Sequence, residues 1–244
     1  MKLKYTVLSL FFTLAPALVF AQNLGDDAEL SALLGGLVKS DSWIIRKDKA
    51  EEEFIGNVKY ENEIYKISAD KALSQRKLNA YTISGNVQAS RKQDGEEISL
   101  KANKVFFNAK KDYGYAQGSK SKQAELSFST PNNIFNVYAD KINFGKKFTS
   151  FEAEGDCELN DINNTLYAGK MAYDTQSEVF TASDKRPVLF GYNEDGDYAL
   201  QGDQITADNK NGIFKASGRV TGWLVPAEDI SKYTQGQKDG AQIF

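Results

Sequence analysis

The sequence predicts an all-β protein: an antiparallel sheet creased along one line and built from about five and a half repeats. Three observations predict it. Short stretches recur at a constant internal spacing, apolar residues alternate with period two, and the alternation slips at the same point of each copy.

Composition sets the frame. The 244 residues are 41% hydrophobic and 26% charged, which suits a globular chain and excludes disorder for most of it. Mean hydropathy is -0.48, and a single apolar run exists, which excludes a helical membrane bundle. Thirty Lys and Arg against thirty-three Asp and Glu give a net charge of -3, the wrong sign for gripping nucleic-acid phosphates. There is no histidine, so His-based triads, His metal sites and histidine proton shuttles are ruled out.

The chain begins with an address. Lys2 and Lys4 precede the apolar run Tyr5 to Phe20, and Val19-Phe20-Ala21 offers a signal-peptidase site. Residues 1–21 are therefore expected to be a signal peptide, cleaved after Ala21. An uncleaved anchor is the alternative. Cleavage takes the net charge from -3 to -5 and exports the chain, with a periplasm as the expected compartment. Residues 22–42 form an N-terminal segment in which Asp26 and Asp27 precede Leu30, Leu33, Leu34 and Leu37 at helical spacing. A short helix is expected there, ended by Gly35-Gly36.

The array occupies residues 43–226. Ala69-Asp70-Lys71, Ala102-Asn103-Lys104, Ala139-Asp140-Lys141 and Ala168-Gly169-Lys170 are alike, with Gly202-Asp203-Gln204 a degenerate fifth. A second set is Gly85-Asn86-Val87, Gly118-Ser119, Gly155-Asp156-Cys157 and Gly218-Arg219-Val220, with Asp184 standing in for one glycine. Each first-set member precedes its second-set partner by 16 residues, whereas the return distances vary. A fixed unit with elastic joins produces this pattern. Phe54-Ile55-Gly56-Asn57-Val58 is an orphan half unit at the start.

Within a unit the pattern is that of strands. Tyr65-x-Ile67-x-Ala69, Ile98-x-Leu100-x-Ala102, Phe135-x-Val137-x-Ala139 and Tyr198-x-Leu200-x-Gly202 alternate. After each Ala or Gly the next inward candidate comes three residues on: Ala72, Val105, Ile142, Met171 and Ile205. Without correction an odd slip moves apolar residues to the wrong face, so a β-bulge is expected in every copy. Turn clusters such as Asn108 to Asp112 and Asp208 to Gly212 separate the strands, and Asp94-Gly95 and Asp195-Gly196 mark joins between units.

A sheet creased in this way has two apolar inner walls. Their candidate lining is Ile98, Leu100, Val105, Phe107, Phe135, Val137, Ile142, Phe144, Phe151, Leu159, Leu166, Met171, Tyr173, Phe180, Leu200, Ile205, Phe214 and Val220. These residues either fill one another's space as the dry core of a structural or adhesive repeat protein, or line a trough for acyl chains. Periodicity does not separate the two.

The Ala-Asp-Lys units, the Gly-Asn-Val and Gly-x-Val returns and the closing Leu224-Val225-Pro226 resemble the OstA/LptA family of periplasmic lipopolysaccharide-transport proteins. The resemblance covers residues 43–226. It implies an open V-shaped antiparallel β-jellyroll, or β-taco, whose interior shields the acyl chains of lipopolysaccharide or a related glycolipid. The lining above, Leu159 and Val220 apart, then becomes the lipid-binding set. The resemblance further implies inner- and outer-membrane β-taco partners, head-to-tail joining of copies, and no enzymatic activity or cofactor. A membrane-anchored accessory of the same pathway shares this grammar.

The remaining signals are weak. Cys157 is the one cysteine, so no internal disulfide forms, and without histidine it lacks a base to activate it. Lys185-Arg186-Pro187 predicts an irregular stretch: a solvated turn or a rim contact for an anionic headgroup. No calcium-type loop or other metal ligand set stands out. Residues 227–244, with Gln235 to Gly240, read as a flexible tail.

Overall fold

β-Branched and aromatic residues at alternate positions favour a pleated backbone, and scarce proline leaves its ladder donors intact. A computed structural model describes residues 37–226, apart from segments 94–95, 131–132, 146–149, 175, 194–195, 209 and 212. The signal segment, most of the leucine-rich helix and the tail lie outside the described residues. Leu37, the last of the four leucines, is in a strand.

Among the described residues, twelve passes build the sheet. β1 (Leu37–Lys39) and β2 (Ser42–Arg46) make the first in two pieces. β3 (Glu51–Glu61), β4 (Tyr65–Gln75), β5 (Ala80–Gln93) and β6 (Glu96–Asn108) each cross whole. β7 (Tyr113–Gln117) with β8 (Ala124–Thr130), then β9 (Asn133–Ala139) with β10 (Lys141–Gly145), cross in pieces. β11 (Ser150–Asn160) and β12 (Asn164–Asp174) cross whole. Three broken passes finish the array: β13 (Val179–Ser183) with β14 (Val188–Asn193), β15 (Gly196–Gln201) with β16 (Gln204–Asp208), and β17 (Ile213–Ser217) with β18 (Thr221–Pro226). Every pass is antiparallel to its sequence neighbour.

The passes share one crease. Half of each lies in a first wall, which includes β1, β8, β9, β14, β15 and β18. The other half lies in a second wall, which includes β2, β7, β10, β13, β16 and β17. The predicted slip is present. Ala139 and Ile142, and Ala168 and Met171, are three apart and all belong to the buried core. The extra residue, however, sits in the partner strand. Ile55 to Val58 spans the gap that Lys71 to Ala69 faces, and Ser84 to Val87 faces Lys104 to Ala102. Gly56-Asn57, Gly85-Asn86 and Gly155-Asp156 all have positive φ, the conformation that makes this corner. The Asp184 stretch is irregular as expected, with Asp184, Lys185 and Arg186 all at positive φ before Pro187.

Turn chemistry closes the lips of the V. Lys111 N–H donates to Asn108 Oδ1 at 2.8 Å, and Asn211 N–H to Asp208 Oδ1 at 2.9 Å. These side-chain acceptors stop a strand by offering the backbone a local partner.

Candidate functional site

Two apolar rows run through all twelve passes. On the first wall the register joins Val38, Tyr60, Ile67, Ala89, Leu100, Leu126, Val137, Leu159, Leu166, Leu189, Leu200 and Gly222. On the second it joins Trp43, Phe54, Ala72, Ile83, Val105, Ala116, Ile142, Ala153, Met171, Ala182, Ile205 and Ala216. Neither row carries a charge. From Val105 onward, the second row alternates large and small side chains.

All sixteen predicted lipid contacts lie on these inner faces. Leu100, Val137, Leu166 and Leu200 are in the first row, and Val105, Ile142, Met171 and Ile205 in the second. Ile98 and Phe135 flank Phe128 one step nearer the first lip. Phe107, Phe144, Phe151, Tyr173, Phe180 and Phe214 line the second wall near its lip. Phe107 and Phe144 stack with centroids 6.4 Å apart. Gly114 lies between them in register, and a Cβ there would stand 2.1 Å from the Phe144 ring. Val220 departs from the prediction: it is 51% exposed and outside the strands, on the bend between β17 and β18.

The two walls meet over part of their length. From β7 to β16 a single buried cluster draws on both, including Val137 and Leu166 from one and Met171 and Phe180 from the other, all at 0% exposure. Toward the N-terminal end the lining is more open. Ile67, Ile83, Ile98, Leu100, Val105 and Phe107 are only half-buried, and Trp43 is 59% exposed. Phe214 at the other end is also half-buried, and Leu224 is exposed.

Sequence reasoning missed several members of these faces. Leu126, Phe128 and Leu189 are inner residues, and Leu126-x-Phe128 carried the same alternation. Polar groups appear near the lips at the open end. Arg91 lies between Tyr65 and Ile98 in register, and Glu52 between Ile45 and Ser74, with an ion pair to Arg76.

The crease carries the charge chemistry. Asn57 Nδ2 donates to Asp41 at 2.9 Å and Asn86 Nδ2 to Asp70 at 3.0 Å. Lys185 and Arg186 lie here and not on a lip. Lys185 binds Asp156 at 2.5 Å, and Arg186 Nη2 donates to the Arg219 carbonyl at 3.0 Å while its Nε faces Asp203 at 3.6 Å. These cations are engaged within the crease.

Cys157 is 1% exposed, and burial pushes its thiol up to about 12. Tyr198 is also pushed up to about 12, by burial and then by the Asp161 charge. Its hydroxyl donates to Asn164 Oδ1, whose amide donates to Asp161 at 3.1 Å. Among the described residues no group of three His, Cys, Asp or Glu side chains is placed to hold a metal.

No protein-family model and no curated protein matches the chain. Among solved structures the chain is similar to LptH, the LptA-homologous periplasmic component of the lipopolysaccharide transport device from Pseudomonas aeruginosa. Identity is 20%, the match spans 49% of this chain and 82% of that one, and the TM-score is 0.42.

Proposed function

We propose that this chain is a periplasmic lipid carrier that shields the acyl chains of lipopolysaccharide, or a related glycolipid, between the inner and outer membranes. One observation carries the reading: two uncharged rows line both walls from Val38 to Gly222 and from Trp43 to Ala216. A core needs apolar residues only where it is covered. These rows continue onto open passes, and Trp43, Ile45 and Leu224 remain at least half exposed.

The energetics suit the role. Each buried methylene is worth roughly 0.8 kcal/mol, so a saturated chain of about 14 carbons gains on the order of 10 kcal/mol by leaving water. A continuous apolar track removes that barrier and requires no catalytic group. The half-buried lining from Ile67 to Phe107 is the entry, and the closed stretch from β7 to β16 separates its walls as the chains arrive. The terminal passes suit strand addition to β-taco partners or to further copies. β1, β2 and β18 each pair on one side only among the described residues, and Ile44, Ile45, Trp223 and Leu224 on them are exposed.

A second reading has its own support. The 0% exposure of Val137, Met171 and Phe180 is that of a filled core, as in a structural β-repeat protein. Photo-crosslinking separates the two. A photoreactive amino acid at Ile98, Phe107 or Phe144 should capture lipid A on the carrier reading. Capture at none of the three leaves the filled-core reading in place.

A further inference from the structure

The outer face of the first wall changes character along its length. Over its N-terminal two thirds it is mostly polar: one row runs Lys59, Ser68, Gln88, Lys101, Glu125, Tyr138 and Glu158, with Tyr138 its one aromatic. From β12 onward it becomes aromatic. Tyr167 is 45% exposed, Phe190 48%, Tyr192 53% and Trp223 54%, although each is on the side facing away from the core.

These side chains form one patch. Tyr167 meets Phe190 edge-on, with centroids 6.3 Å apart. Phe190, Ala199 and Trp223 are successive partners across β14, β15 and β18, so a small residue lies between two rings. Tyr192, Asp197 and Val225 form the parallel row nearer the lip. Tyr192 Oη donates to the carbonyl of Ile162 at 2.8 Å, which ties in a turn isoleucine that is 64% exposed. Asp197 is the one charge in these rows.

We propose that this patch seats the C-terminal end of the protein on a lipid bilayer. Tryptophan and tyrosine pair an apolar ring with one polar atom, which suits the headgroup boundary, and Ile162 projects at the lip to enter the acyl layer. Charge selects the kind of bilayer. Among its described residues the patch has no cation and one carboxylate, and the chain is acidic, so a zwitterionic surface is accepted and an anionic one repelled. A second copy is a poorer occupant. Face-to-face pairing would press Asp197 of both copies into an apolar interface.

The test uses the chain from Gln22 onward with Trp43→Phe, which leaves Trp223 as its only tryptophan. Adding phosphatidylcholine vesicles should shift the Trp223 emission to the blue, and the protein should float with the vesicles. Vesicles rich in phosphatidylglycerol should capture less of it. Phe190→Ser with Tyr192→Ser should abolish flotation while the β-sheet circular dichroism is kept, since neither ring belongs to the buried core. An unchanged emission and no flotation on phosphatidylcholine overturn the proposal. So does a blue shift that grows with protein concentration without vesicles and is lost with Phe190→Ser and Tyr192→Ser, which assigns the patch, and not the β18 edge, to a second copy. Phe190 and Tyr192 are on the outer face, so lipid capture at Phe107 in a chain that keeps Trp43 should be unaffected by Phe190→Ser with Tyr192→Ser, and the two proposals fail separately.

Discussion

Asp70 and Gly85 lie against each other across the crease, so close that a Cβ on Gly85 would stand 2.3 Å from Asp70 Oδ2. The same contact joins Asp41 to Gly56, Asp140 to Gly155 and Asp203 to Gly218, and in reversed order Asp184 to Gly169. Here is the physical origin of the constant spacing. An aspartate on one pass covers the glycine that turns the corner on the next.

Gly85→Ala should therefore destabilise the fold by roughly 2–3 kcal/mol, from the cost of a side chain at φ 75° and from overpacking. Asp70→Ala should cost about 1 kcal/mol, the net value of one lost hydrogen bond. Combining them should cost less than the sum, because removing the carboxylate makes room for the new methyl. Urea denaturation of the two single variants and the double variant measures this; strict additivity would refute the contact.

Glu53 predicts a pH dependence. It is 7% exposed on the outer face of the second wall, between Lys71 and Arg46, with its Oε2 2.5 Å from Arg46 Nη2. Hydrogen bonds from Lys71, then Arg46, hold its carboxyl below the usual range. A depressed carboxylate stabilises the fold at neutral pH and loses that contribution as pH falls through its folded value. Glu53→Gln should lower the melting temperature at neutral pH. The gap from the parent should close in acid, below the ordinary carboxylate range.

Cys157 should be inert. Its thiol is held protonated by burial, and only the thiolate attacks. Iodoacetamide at neutral pH should leave the native protein unmodified and label it stoichiometrically in urea. Rapid labelling of the native state would show that the crease opens there.

The closed and open parts of the interior should respond differently to truncation. Phe180 is fully buried, so Phe180→Ala should cost about 3–5 kcal/mol. Phe107 is half-buried, and Phe107→Ala should cost clearly less while reducing capture of lipid A. Equal losses of stability would show that the interior is equally covered at both places.

Much of this architecture was legible along the chain. The alternation at Phe135, Val137 and Ala139 assigned faces, and the slip from Ala139 to Ile142 marked the crease. Other features were not. Nothing local says that the extra residue belongs to Gly85-Asn86 and not to Ala69-Asp70-Lys71. Lys185 and Arg186 were candidates for a lip and are held at the crease by Asp156 and Asp203, partners on other passes. Tyr167, Phe190 and Trp223 are in the outward phase of their strands, yet no local signal shows that they form one surface.

By itself, then, the sequence determined which side of the repeat strands is apolar and where along each repeat the crease falls. Side-chain direction alternates strictly with position, and a left-handed corner is easiest for glycine, asparagine and aspartate, as at Gly56-Asn57, Gly85-Asn86 and Gly155-Asp156. Only the tertiary structure decided how far the walls separate. Val137 and Leu166 of one wall share a buried cluster with Met171 and Phe180 of the other, and no local pattern encodes that meeting of opposite walls.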